Sequence, residues 1–229
     1  MKHRWLLLLL CVSGTAAGHG IADDQAAFVA GRAAGPWLAP WLYLGARHML
    51  TGWDHLLFVL GIVFFLRRWS QLLLLVTLFS VGHSLTLMAG VLGGIHADAH
   101  LVDLVIGLSV VYIAVDNLDG WRSLLGIRPD ARLAVAGFGL VHGFGLATSV
   151  QALAPAQEGL TGRLAAFNAG VELGQLAALS VVLVLIAAWR RRAAFERQAV
   201  WVQAALMGTG FLLAGRQLAA FVLPWGATS

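Results

Sequence analysis

Thiol chemistry is almost missing from this chain, which holds a single cysteine, Cys11, among 229 residues. Cys11 falls inside the N-terminal stretch that reads as a signal peptide. The mature chain therefore has no disulfide, no thiolate metal site and no cysteine nucleophile. Charge is scarce as well. Only 11% of the residues are Asp, Glu, Lys or Arg, where a soluble domain carries about 25%, and so little polar cover excludes a globule in water. No P-loop signature is present, which removes a nucleotide-driven step. Intrinsic disorder, a disulfide scaffold and nucleic-acid binding are excluded together. The pI near 10.2 does not revive nucleic acid, because the arginines sit where membrane topology wants them.

What is present is apolar. Hydrophobic residues make up 59% of the chain and the mean hydropathy is +0.81. Runs of about 20 apolar residues recur along it, the pattern of a helical membrane protein. The 27 glycines point the same way, since small residues let spanning helices approach closely. The expected fold is all-α, a polytopic bundle of about six transmembrane helices.

Residues 1–18 read as a cleaved signal peptide. Lys2, His3 and Arg4 form a basic start, Trp5 to Val12 a short apolar core, and Ser13 to Gly18 a small-residue cleavage zone. Cleavage there puts His19 at or beside the new amino terminus, either as a metal chelator or as part of a polar leader. Residues 19–47 form an exported leader whose aromatic stretch Pro36–Tyr43 is expected at the membrane interface. Residues 48–223 form the transmembrane domain, with spans at about 48–66, 70–93, 101–118, 132–153, 164–189 and 198–223. One set of loops then holds Arg67, Arg68, Arg122, Arg128, Arg132, Arg190, Arg191, Arg192 and Arg197, against Arg32, Arg47 and Arg163 on the other side. The positive-inside rule makes the richer side cytoplasmic. Both mature termini then face the exported side of a bacterial inner membrane.

Ionisable side chains at membrane depth are costly and mark function by default. The first span opens with His48-Met-Leu-Thr-Gly-Trp-Asp54-His55, whose two histidines are seven apart and share a helix face. The second carries Ser80, His83 and Thr86, the fourth His142, and the fifth Asn168, Glu172 and Gln175 at i, i+4, i+7. At about 1.5 Å per residue, His55, His83, His142 and Glu172 all fall at one level, near the midplane. Neutral imidazoles with carboxylates suit a divalent transition metal such as Ni, Co, Zn, Fe or Cu. His48, Asp54, His55, His83, His142 and Glu172 are the candidate ligands. Asp54 is either a ligand or a group fixing a histidine tautomer. Ser80, Thr86, Asn168 and Gln175 are supporting polar groups.

Other readings of these residues stay open. A lone intramembrane histidine is often a helix–helix hydrogen-bond partner, and a His/carboxylate chain can relay protons. Arg216 in the sixth span is a candidate ion-pair partner for Glu172. His96, Asp98 and His100 form either a capture site or a solvated loop. Asp116, Asn117 and Asp119 read as a helix end. Val81-Gly-His-Ser-Leu85 resembles Val141-His-Gly-Phe-Gly145, but both run in the same direction and make no inverted pair.

Taken together, His48…Gly52-Trp-Asp54-His55-Leu-Leu-Phe58, Gly82-His83-Ser-Leu-Thr86, His142-Gly-Phe-Gly145 and Phe167-Asn-Ala-Gly-Val-Glu172-Leu-Gly-Gln175 resemble the HupE/UreJ membrane proteins, in particular the second branch of that family. The resemblance runs from about 40 to 223. It implies a nickel or cobalt permease tied to metalloenzyme maturation systems such as those of hydrogenase and urease. The first motif is also similar to the signature of the larger nickel/cobalt permeases, with five residues here, Met49 to Trp53, between His48 and Asp54.

The expected function is a permease for a divalent transition-metal ion, with the ion and the lipid bilayer as its partners. An intramembrane zinc hydrolase is the first alternative, with Glu172 as general base and a bound water as nucleophile. A metal-delivery or assembly factor is the second. The inner halves of the first, second and fifth spans are almost wholly apolar, which argues against an open pore.

Overall fold

The computed structural model describes residues 38–65, 69–153 and 159–223. The predicted signal peptide, the leader to residue 37, and Arg32, Arg67 and Arg68 lie outside the described residues. Backbone amides buried in hydrocarbon must be bonded within their own segment, which a helix achieves. The chain is accordingly all-helical, with no strand among the described residues: α1 Ala39–Thr51, α2 Trp53–Phe65, α3 Trp69–Gly93, α4 Ala99–Asn117, the short α5 Gly120–Leu125, α6 Ala131–Leu153, α7 Leu160–Arg190 and α8 Phe195–Val222. Five of these, α3, α4, α6, α7 and α8, are long and apolar enough to cross a membrane.

The expected first span is not one helix. Gly52 ends α1 by donating its N–H to the His48 carbonyl at 2.9 Å, and begins α2 by accepting from the Leu56 N–H at 3.1 Å. Its ψ of 103° lies far from helical and turns the chain between them. His48 and His55 therefore belong to two helices rather than to one face of a single helix. Of the aromatic stretch before them, residues 38–43 are described, and they enter α1. Pro40 stands in the first turn of α1, where its missing N–H costs nothing. Trp41 and Leu44 are buried at 1% exposure, so this face of the segment packs into the bundle.

The long helices pack in three pairs. In α1–α7 the contacts step forward together, Gly45 against Phe167 and Val171, then Gly174 against Ala46 and Met49, so the two run parallel. In α3–α6 they do the same, from Phe79 against Gly139 to Gly90 against Ala147. In α4–α8 they step oppositely, from His100 with Gln217 at 2.8 Å to Asn117 with Gln203 at 3.1 Å, so this pair is antiparallel. The apolar α2 occupies the middle and touches α1, α3, α4, α7 and α8. Its far end is tied down by Arg190 of α7, which donates to the Val63 and Phe64 carbonyls at 3.0 and 2.5 Å. These acceptors belong to the last turn of α2, where carbonyls lack partners within the helix. With connections this short, Arg122, Arg128, Arg132, Arg190, Arg191, Arg192 and Arg197 gather at that same end of the bundle.

Candidate intramembrane histidine centre

His55 is the hub of the site. It stands in the first turn of α2, 1% exposed, where the break at Gly52 aims the positive end of a helix into the interior. Around it lie three more imidazoles, each from a different helix. Ring centroids are 5.1 Å away for His48 of α1, 5.4 Å for His142 of α6 and 6.3 Å for His83 of α3. All four rings are buried. His142 falls midway along α6 and His83 two residues past the middle of α3, so the cluster sits at mid-depth in the bundle. Two imidazoles sharing one metal at about 2.1 Å per bond have centroids roughly 5 Å apart, the scale of the two shorter separations. Among the described residues no three His, Cys, Asp or Glu side chains converge closely enough to hold a metal ion as they stand.

Two of the rings have a defined orientation. A carbonyl can only accept, so Nδ1–H of His142 donates to the Phe138 carbonyl at 2.7 Å. The Asp54 carboxylate lies 3.0 Å from Nδ1 of His55 and accepts from it in the same way. In both rings Nε2 becomes the lone-pair nitrogen, the arrangement by which an outer acceptor orients a metal-binding histidine.

Aromatic rings wall the cluster. Phe79 lies 4.9 Å from His142 and 6.3 Å from His83, and Phe58 lies 5.8 Å from His142 and 5.0 Å from Phe79. Toward the arginine-rich end the bundle is filled by Ile62, Val63, Phe64, Leu72, Leu75 and Val76, all buried. The expected apolar inner half is thus a packed plug.

The supporting polar residues divide. Ser80 donates to Oε1 of the buried Gln175 at 2.5 Å and ties α3 to α7. Thr86 returns its hydroxyl to its own helix, at the Gly82 and His83 carbonyls. Asn168 is half-buried, and its Oδ1 has no partner among the described residues. Glu172 is exposed on α7, and Arg216 is exposed on α8. Of the candidate ligands the four histidines are buried, Asp54 is half-buried beside His55, and Glu172 alone is exposed.

In the loop, Asp98 caps α4 at the Leu101 N–H (3.1 Å), and His96 bonds to the Gly94 carbonyl (2.9 Å). Asn117 does more than end a helix, since it donates to the Gly61 carbonyl at 2.8 Å and joins α4 to α2. Asp103, a buried carboxylate in α4 that accepts from Gln217 at 2.9 Å, stands outside the candidates legible in the sequence motifs. An acid four residues inside a spanning helix was the signal for it. Phe79 was also missed, and nothing in its apolar surroundings distinguished it.

The family model described as HupE / UreJ protein matches residues 24–224. The chain belongs to the HupE/UreJ family. No curated protein and no solved structure matches it significantly. In this HupE/UreJ chain three of the four sequence motifs bring a histidine to the cluster, and the fourth brings Gln175 to Ser80.

Proposed function

We propose that this membrane protein is a permease for a divalent transition-metal ion, nickel or cobalt, with the ion bound transiently at the histidine centre. The observation that carries the reading is the gathering of His48, His83 and His142 around His55, from four helices, at mid-depth. Burying four imidazoles in hydrocarbon is costly, and two of them present Nε2 as the ligand-ready nitrogen. A passing ion would exchange hydration water for these nitrogens, with Asp54 offsetting its charge. Conduction needs sites weak enough to release, and a loosely spaced cluster suits that need better than a closed tetrahedral site. The arginine-rich end faces the cytoplasm by the positive-inside rule, so the apolar plug separates the site from the cytoplasm and must rearrange to let the ion through.

The hydrolase alternative requires Glu172 as general base beside the imidazoles, whereas Glu172 is exposed and they are buried. Proteoliposomes loaded with a metal-sensitive dye test the proposal. Uptake of external Ni2+ or Co2+ that is lost in His55→Ala supports it, and wild-type vesicles no leakier than protein-free ones overturn it.

A further inference from the structure

Two short patterns occur twice in the chain. Gly45-Ala-Arg-His48 of α1 returns as Gly139-Leu-Val-His142 in α6, and Phe79-Ser-Val-Gly82 of α3 returns as Phe167-Asn-Ala-Gly170 in α7. Their packing returns with them. A side chain at Gly45 would run into the Phe167 carbonyl, and one at Gly139 into the Phe79 carbonyl. At Gly170 it would meet Leu42 and Ala46, and at Gly82 Ala136 and Leu140. Leu42 and Ala46 stand three before and one after Gly45, as Ala136 and Leu140 stand about Gly139. The pair α1–α7 is thus a copy of the pair α6–α3 in matching register.

The third pair packs on itself. A Cβ at Gly107 would come 3.0 Å from the Gly210 carbonyl oxygen and 2.7 Å from the Ala214 nitrogen. One at Gly210 would come 2.8 Å from the Gly107 oxygen and 3.0 Å from the Val111 nitrogen. Ala214 and Val111 each lie four past their glycine, so the contact is reciprocal. A two-fold axis passing between Gly107 and Gly210 produces this pattern. It relates α1, α3 and α4 to α6, α7 and α8. Because α4 and α8 are antiparallel, the two sets run oppositely through the membrane.

The same axis organises the histidine centre. His48 and His142 are mates, and His55 lies between them at 5.1 and 5.4 Å. Each has a phenylalanine beside it from its packing partner, Phe167 at 6.3 Å from His48 and Phe79 at 4.9 Å from His142. Those phenylalanines are mates as well. The halves differ in conformation and in chemistry. The break at Gly52 has no counterpart in α6, which runs unbroken through Leu146, and Val171 stands where the first half has His83.

Inverted halves let a carrier open to one face and then the other by exchanging their conformations. We infer that this protein is an inverted repeat of three helices and three helices, with Phe79 and Phe167 as equivalent gates on the two sides of the histidine centre. Phe79 is closed on His142 in this conformation, and passage of a divalent cation closes Phe167 on His48 while releasing Phe79. The inference rests on the permease reading.

Ser80 and Asn168, each one residue past a gate, are mated positions suited to the test. In a Cys11→Ser background, Ser80→Cys and Asn168→Cys are reconstituted separately and labelled with a membrane-impermeant maleimide from each face, with and without Ni2+. The expected result is opposite responses, Ni2+ raising labelling at one cysteine by about threefold or more and lowering it at the other. Responses in the same sense, or none, in vesicles that still take up Ni2+ overturn the inverted-repeat inference and leave the permease standing. Opposite responses in vesicles that pass no Ni2+ or Co2+ overturn the permease and leave the repeat standing. A second mated pair, Leu44→Cys and Phe138→Cys, serves with the same criteria if Ser80→Cys does not fold.

Discussion

Asp54 and His55 are joined twice, through the backbone N–H of His55 at 2.8 Å and through its ring Nδ1 at 3.0 Å, both to the same carboxylate oxygen. The carboxylate thus fixes both the start of α2 and the orientation of the imidazole at the centre of the site. Its charge is favoured there by the positive end of the helix, and the ring nitrogen it engages leaves Nε2 to face a cation.

Asp54→Asn keeps an acceptor for the backbone N–H but removes the charge that orients the ring. Loss of such an outer partner costs about 10- to 100-fold in metal affinity or activity. Ni2+ uptake in proteoliposomes is expected to fall by that order, while helix content by circular dichroism stays unchanged. Uptake equal to wild type would show that the carboxylate does not serve the imidazole.

Gly52→Ala probes the same corner from the backbone. With φ at −73° and ψ at 103°, alanine fits without backbone strain. Its Cβ, however, would lie 2.7 Å from Nδ1 of His55 and 3.0 Å from Oδ1 of Asp54. The imidazole must move to make room. Uptake is expected to drop at least as far as in Asp54→Asn, with a much smaller fall in the thermal unfolding temperature in detergent. The reverse, a large loss of stability with uptake preserved in the folded fraction, would mean that Gly52 serves packing alone.

The histidines were legible in the sequence for a physical reason: ionisable groups are so costly in hydrocarbon that each one stands out against an apolar run. The same reasoning fails for features made of ordinary apolar residues. The break at Gly52 lies inside a continuous hydrophobic stretch, and glycine is common in unbroken spanning helices. Trp41 reads equally well as an interfacial anchor or as a packed ring until its neighbour α7 is known. Glu172 shares its i, i+4, i+7 stripe with Gln175, and only the position of α3 decides that Gln175 faces in while Glu172 does not. The repeated Gly-x-x-His and Phe-x-x-Gly patterns are too short to notice before their packing partners are seen.

Glycines at the helix contacts separate from glycines that merely sit in a helix. A Cβ at Gly170 would overlap the Leu42 carbonyl oxygen, which is backbone and cannot swing aside, whereas Gly208 has nothing within 4 Å. Gly170→Ala is therefore expected to push α1 off α7 and destabilise the bundle by about 1–3 kcal/mol or more. Gly208→Ala should be neutral or slightly stabilising, by up to about 1 kcal/mol from helix propensity. Thermal unfolding of the two variants in one detergent checks both, and equal transitions would refute the close packing of α1 on α7.

Ser80 and Gln175 form a direct side-chain hydrogen bond from α3 to α7. Ser80→Ala leaves the buried Oε1 of Gln175 without its donor, at a cost of about 1–3 kcal/mol. Gln175→Leu alone leaves the Ser80 hydroxyl able to turn back to a carbonyl of its own helix, as Thr86 does, and should cost less. In the double variant no acceptor is stranded, so its stability should recover toward that of Gln175→Leu. A double-mutant cycle on thermal unfolding reads the coupling, expected at about 0.5–2 kcal/mol. Strictly additive losses would show that the two side chains do not depend on each other, and the link from α3 to α7 would then rest on packing alone.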